Sequence, residues 1–202
     1  GQNVYQDRQD LTALIGSRIC HDLISPLGAI SNGLELLVMS GLAQTPEMDL
    51  IAQSIENANS KIRFFRVAYG KASKGATLAR GEIASILDDY FRGARLSVVW
   101  HPMHELQRRE VKLAFLAIQC LESSLPYGGD IDIVVENGRW TLSGRGEKLA
   151  TNLEHWALIE GKDMEQDLGA AYVHFGMLAS LTEWRKPAVT VDFSEKSVVV
   201  RM

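Results

Sequence analysis

Two apolar stripes, each stepping by three and four residues, lie on either side of a Thr-Pro break, and this pattern constrains the chain more than any other. The first stripe runs Cys20, Leu23, Leu27, Ile30, Leu34, Leu37. That period is the one a helix uses to bury a single seam. One long helix is expected from about Gln6 to Ser40, with Gly41 as its C-cap. A second start signal follows: Thr45 as N-cap, Pro46 at the first helical position, Glu47 and Asp49 in the first turn. The second helix is expected to reach about Lys74, with the seam Met48, Ile51, Ile55, Ala58, Ile62, Phe65, Tyr69. So short a connection makes the helices antiparallel neighbours. Matched outward from the loop, Leu37 pairs with Met48, Leu27 with Ala58 and Cys20 with Phe65, which sets His21 level with Ile62 to Phe65.

One hairpin hides one stripe of each helix. Leu11, Ile15, Ile24, Val38, Phe64 and Val67 fall off the seams. Leaving them wet forgoes roughly 25 cal/mol per Å² of apolar surface. The expected solution is a homodimer in which two hairpins form a four-helix bundle. The alternative is a monomeric hairpin packed on the rest of the chain.

His21 is the one titratable ring inside this pattern. Residues three and four positions away share its face: Ser17, Arg18, Ser25, Gly28 and, further on, Asn32. These are small or polar, so something has room to reach the imidazole. Asp22 is adjacent, and Pro26 removes a backbone hydrogen bond just beyond. A histidine among apolar residues is also commonly a satisfied core residue, and the spacing alone leaves both readings open.

The string His21-Asp22-Leu23-Ile24-Ser25-Pro26-Leu27 resembles the phosphoacceptor box of two-component sensor histidine kinases, His-Glu/Asp-Leu-Arg-Thr/Ser-Pro-Leu. Only Ile24 departs from it. With Cys20 before it and Gly28-Ala29-Ile30-Ser31-Asn32-Gly33 after it, the stretch is similar to a narrower family, the dimeric histidine phosphotransferases of alphaproteobacteria, the ChpT type of the cell-cycle phosphorelay.

The bulk numbers agree with that class. At 202 residues the chain has room for one large or two small domains. Its formal charge of −4 argues against a nucleic-acid binder. No apolar run approaches the ~18 residues of a membrane span, and no secretory signal pattern opens the chain. Cys20 and Cys120 lack metal-binding or redox spacing and read as reduced thiols of a cytoplasmic protein.

Beyond the hairpin (residues 1–74), the stretch 71–81 reads as a linker, and residues 82–202 as an α+β sandwich. Expected elements are helices at 82–92, 109–125, 153–160 and 167–184, and strands at 96–100, 131–136, 139–143, 189–193 and 197–201. Asn137-Gly138 between two strand-like runs is the strongest hairpin signal. This order resembles the ATP-binding, Bergerat-type domain of histidine kinases, in degenerate form. Ser123 stands where the kinase has its magnesium-binding asparagine, and Pro126 where a lysine is usual. Leu142-Ser-Gly-Arg-Gly146 keeps the glycines of the adenine-binding box without its aspartate, and Asp167-Leu-Gly-Ala-Ala171 holds one glycine of the lid. Leu142 offers the adenine amine no acceptor and Ser123 the metal no strong ligand, so ATP binding is not expected. His101-Pro-Met-His104 is broken by Pro102 and is not read as a zinc site. His155 and His174 read as structural, and Trp100, Trp140, Trp156 and Trp184 as core.

The resemblance implies a relay: His21 as phosphoacceptor, with Asp22, Ser25 and Arg18 completing the site, and no cofactor held by this chain. Magnesium would come with a partner receiver domain. The expected partners are a second copy, the receiver of a hybrid histidine kinase, and the receivers of response regulators. Neither nucleic acid nor membrane is expected as a partner. Ser17, Gly28, Lys61, Phe64 and Arg66 are the candidate docking residues, since Lys61, Arg63, Arg66, Lys71 and Lys74 make the second helix basic at the level of His21. Two rivals remain at this stage: an active histidine kinase with a divergent nucleotide site, and a non-catalytic dimeric adaptor.

Overall fold

A computed structural model describes residues 2–202, with side chains from Arg8 onward. The chain divides into two compact units, Gly1–Lys74 and Gly75–Met202.

The first unit is a helical hairpin. Helix α1 spans Gln2–Met39 and runs through Pro26 without interruption. It ends at Gly41, whose φ of +86° is a left-handed conformation that suits glycine. Helix α2 spans Pro46–Tyr69, about one turn shorter than the sequence pattern predicts. The Thr45 hydroxyl accepts from the Met48 amide at 3.2 Å, the expected cap. At the far end the Gly70 amide donates to the Arg66 carbonyl and closes α2.

The register matches the sequence pairing, but the face of α1 turned toward α2 does not. A Cβ on Gly16 would lie 2.4 Å from the Tyr69 carbonyl oxygen, so the backbones are at closest approach there. Counting inward from that contact sets Cys20 level with Phe65 and His21 level with Phe64. Among the described residues of α1, the buried or half-buried ones are Gln9, Asp10, Ala13, Gly16, Ser17, Cys20, Leu27, Gly28, Ser31 and Leu34. Leu23, Ile30 and Leu37, expected in the seam, are exposed. The physical reason is that close backbone approach at Gly16 and Gly70 selects small side chains there, and it turns Gly16 and Ser17 toward α2 rather than the largest apolar residues. On α2, Ile55 and Ile62 are buried as expected, whereas Ile51 is exposed.

The second unit is a sheet with helices on one face. It contains β1 (Thr77–Leu78), α3 (Arg80–Tyr90), β2 (Leu96–Trp100), β3 (Leu106–Gln107) and α4 (Arg108–Ser124). Then follow β4 (Gly129–Glu136), β5 (Arg139–Arg145), α5 (Leu153–Ile159), a single 3-10 turn at Ala170–Tyr172, α6 (Val173–Thr182), β6 (Thr190–Phe193) and β7 (Ser197–Arg201). The main sheet has the order β2-β4-β5-β7-β6, parallel only between β2 and β4. The β4–β5 turn carries Asn137 at φ +51° and Gly138 at +76°, the two left-handed residues that a tight hairpin requires. Strands β1 and β3 pair with each other inside what the sequence reads as linker and loop. Two-residue strands leave no periodicity to detect. The helix expected from Asp167 begins only at Val173.

Burial alternates along the strands. Ile131, Ile133, Trp140, Leu142, Val198 and Val200 are fully buried, and their alternate neighbours are not. Helix α4 fills the layer above with Val111, Phe115, Ile118 and Leu121. Trp100, Trp140 and Trp156 are core residues, but Trp184 is 73% exposed just past the end of α6, contrary to its sequence reading.

A part-buried ion pair ties α4 to the segment after α6. Arg185 donates to both Glu110 oxygens, at 3.0 and 2.7 Å, and the indole of Trp140 donates to the same carboxylate at 3.1 Å. Burial alone would raise the Glu110 pKa, but these donors and the Arg185 charge hold it below the ordinary range. Glu110→Gln is expected to destabilise the protein by about 2 kcal/mol in urea titration, the weight of charge-assisted hydrogen bonds. A change within about 0.5 kcal/mol, that of an ordinary surface substitution, would refute the role of this pair.

Candidate functional site

The site is one turn of α1 on either side of His21. A helix positions side chains rigidly, so the geometry here is set by the backbone. The His21 side chain is 85% exposed. This decides against the core-histidine reading that spacing had left open. Its Nδ1 lies 3.3 Å from Asp22 Oδ1. Arg18 Nε donates to the other oxygen, Asp22 Oδ2, at 2.8 Å. Asp22 therefore sits between a guanidinium and an imidazole. The Arg18 hydrogen bond, then that of His21, lowers its pKa below the usual carboxylate range. In turn Asp22 raises that of Arg18. The carboxylate is ionised near neutrality and accepts Nδ1–H, which leaves the Nε2 lone pair directed away.

The neighbours of His21 divide into three groups. Ser25 and Arg18 are exposed, and Gly28 is half-buried with open space where a Cβ would stand. Lys61 and Arg66 are exposed on α2. Arg66 is near enough to Cys20 to oppose the rise in thiol pKa that burial causes, so a cation stands beside the turn that carries His21. Phe64 and Ser17 are placed differently from their sequence reading. Phe64 is fully buried, so its ring is not available to a docking partner. The Ser17 hydroxyl accepts from the Lys71 amide at 2.9 Å and is engaged within the hairpin. Sequence reasoning passed over that bond, although the small residues Gly16 and Ser17 facing Gly70 are its trace. No cluster of three or more His, Cys, Asp or Glu able to hold a metal occurs among the described residues.

The residues that the sequence comparison set against nucleotide boxes lie in the second unit and are built into its packing. Ser123 Oγ is 2.8 Å from His174 Nε2. Asn152 donates to the Ser123 carbonyl at 3.2 Å, and the Trp156 indole donates to Ser124 Oγ at 2.8 Å. Leu142 is fully buried. Gly144 packs beneath Leu121 and Leu125, and a Cβ on Gly146 would stand 2.8 Å from the Gly128 carbonyl oxygen. His155, Tyr172, His174 and Phe175 stack in one aromatic cluster.

Comparison with known proteins converges on one family. The model of the histidine phosphotransferase C-terminal domain matches residues 80–196. A protein phosphotransferase ChpT of Brucella abortus (strain 2308) is 34% identical over 196 residues, covering 94% of this chain and 93% of the relative. The chain belongs to the histidine phosphotransferase family. A solved structure described as a bacterial phosphotransferase superposes with a TM-score of 0.67 at 27% identity, covering 95% of each chain. Phosphoryl transfer is thus the chemistry of this histidine phosphotransferase. No helix among its described residues is long and apolar enough to cross a membrane.

Two measurements follow from these geometries. The ¹⁵N spectrum of the neutral His21 ring is expected to show the Nδ1–H tautomer, with that preference lost in Asp22→Ala; a dominant Nε2–H form in the unaltered protein would contradict the pairing. Burial, then the nearby His155, lowers the His174 pKa to about 4. The unfolded chain therefore binds a proton at about 6.5 that the folded one refuses. Stability should fall as pH drops from about 6.5 toward 4, and His174→Asn should flatten that slope in urea titrations across the window.

Proposed function

We propose that this chain is the histidine intermediate of a phosphorelay, taking a phosphoryl group from an aspartyl phosphate on one receiver domain and delivering it to an aspartate on another. The observation that carries this reading is the exposure of His21 on a rigid helix with Nδ1 engaged by Asp22. Nε2 attacks phosphorus in line. The N–P bond forms as the bond to the aspartyl oxygen breaks, and the receiver keeps its carboxylate. Delivery is the reverse step on a second receiver. Asp22 holds the ring orientation and the positive charge that develops on it. Arg18, one turn back, can move from Asp22 to the phosphoryl oxygens once these arrive. Ser25, one turn on, is a further donor. The magnesium that neutralises the transferring group belongs to the receiver.

Charge supports the same partner. Between Ile19 and Ser60 the chain has no Lys or Arg and five carboxylates, Asp22, Glu35, Glu47, Asp49 and Glu56. Cations begin with Lys61 and include Arg66, at the level of His21. A receiver gathers carboxylates around its phosphorylated aspartate and meets a basic rim there. A groove of about 430 Å³ between α1 and α2 continues toward the loop, lined by Leu34, Val38, Met39, Met48 and Ile55 with Glu35, Asp49 and Glu56. Met39 lies eighteen residues beyond His21, five turns at 3.6 residues each, and so shares its face.

The hairpin acts as a homodimer in this proposal. Ile19, Leu23, Ile30 and Leu37 are exposed on one flank of α1, and Leu23, Ile30 and Leu37 recur every seven residues. A second copy covers them in a four-helix bundle. The second domain does not bind ATP. In support, His174 occupies Ser123, Leu142 is core, and the retained glycines are taken up by packing. The protein is cytoplasmic, where receivers are found.

The test is transfer of label from a phosphorylated receiver. His21 should become labelled and then discharge to a second receiver, and His21→Ala should accept nothing. Label in that variant would overturn the assignment, and label from ATP alone would favour a kinase. Sedimentation should give a dimer, and Leu23→Lys with Ile30→Lys should give a monomer. A monomeric parent protein at micromolar concentration would overturn the bundle.

A further inference from the structure

The tightest contact in the hairpin has no part in the chemistry assigned above, yet it sits one turn from His21. Three observations meet there. A Cβ on Gly16 would be 2.4 Å from the Tyr69 carbonyl oxygen, so α1 and the last turn of α2 touch through backbone. Gly70 is buried, and a Cβ on it would lie 3.1 Å from Ser17 Oγ. The Lys71 amide, the second beyond the end of α2, donates to Ser17 Oγ at 2.9 Å across 54 residues of sequence. Past a helix end the chain is normally free to choose its direction, because no i to i−4 bond constrains it. Here the first residues of the exit are fastened to the neighbouring helix.

We infer that Ser17 is a positioning residue for phosphotransfer: by holding the Lys71 amide it fixes where the chain leaves the hairpin toward the second domain, within one helical turn of the phosphoacceptor. The distance is what gives this a consequence. Ser17 and His21 are four residues apart, about 6 Å along the axis. A docked receiver covers about 800 Å² on this side, a patch roughly 30 Å across, several times that separation. A receiver seated on His21 therefore meets the exit segment, and whether that segment is held or loose enters the docking equilibrium. The Ser17 hydroxyl is engaged by the Lys71 amide, so its loss should leave the reactivity of the imidazole unchanged.

The inference rests on the reading that receivers supply the phosphoryl group, and the test separates the two. Full-length parent, Ser17→Ala and Ser17→Thr are each phosphorylated by phosphoramidate, which needs no docking surface, and by a phosphorylated receiver. Ser17→Ala should react with phosphoramidate at the parent rate. Its KM for the receiver should rise roughly fivefold, the equilibrium weight of one lost hydrogen bond, with kcat unchanged. Ser17→Thr, which keeps the hydroxyl, should restore KM toward the parent value. Hydrogen exchange at the Lys71 amide should be roughly tenfold faster in Ser17→Ala. An unchanged KM together with faster exchange would overturn the inference, because the exit would then be free without effect. An equal loss with both donors would overturn it as well, since that marks damage at His21. Failure of the parent protein to accept from any receiver, with phosphoramidate still effective, would instead sink the relay itself.

Discussion

The backbone contact between Gly16 and Tyr69 governs the rest of the hairpin. Once two helices meet without side chains between them, the register and the facing stripe are both determined. Gly16 opposite Tyr69 puts Cys20 against Phe65 and His21 beside Phe64. The same contact rotates α1 so that Gly16 and Ser17 turn toward α2. His21 then falls on the outer face, where its ring is 85% exposed. A bulkier residue at position 16 would push the helices apart and change the depth at which the imidazole sits. His21 thus owes its exposure to a glycine five positions earlier.

Electrostatics continues the same argument at longer range. An imidazole that accepts a phosphoryl group must then hold about two negative charges. Arg18 and Arg66 stand on either side of that turn. Asp22 takes part of the Arg18 charge, accepting from its Nε at 2.8 Å. The pair is exposed, so its strength at rest is small, which suits an interaction that must be exchanged. Toward the loop the hairpin carries carboxylates alone, so the field along α1 changes sign within a few turns of His21.

Much of this was legible in the sequence because the signals were local. Thr45-Pro46, Gly41 and Asn137-Gly138 each specify a backbone conformation by their own chemistry, and each appears where the sequence places it. The box around His21 was legible for the same reason. The elements that escaped depend on partners distant in sequence. Strands β1 and β3 hold two residues each and exist only as a pair. The seam of α1 was expected to follow Leu23, Ile30 and Leu37, because size is the usual guide to burial; close backbone approach reversed that guide. Phe64 was taken for a docking residue because it lies off the seam, yet it is fully buried. Ser17 was taken for one because it shares the face of His21. Its partner, the Lys71 amide, is a backbone group that no side-chain pattern reveals.

In the second domain the Gly144-Arg145-Gly146 run raises the question of why two glycines stand so close together. Packing resolves it. Gly144 lies under Leu121 and Leu125, and Gly146 lies against the Gly128 carbonyl, so a side chain at either position would strike the fold itself. Leu142, two residues before, is a core residue of the same strand, where an aspartate would be buried without a counter-charge. Each position is therefore maintained or replaced by the demands of the sheet and of α4, with no nucleotide required. The Ser123–His174 contact follows the same logic, since it satisfies two part-buried polar groups that would otherwise need water or a ligand. Glycines in such a run report on the space around them.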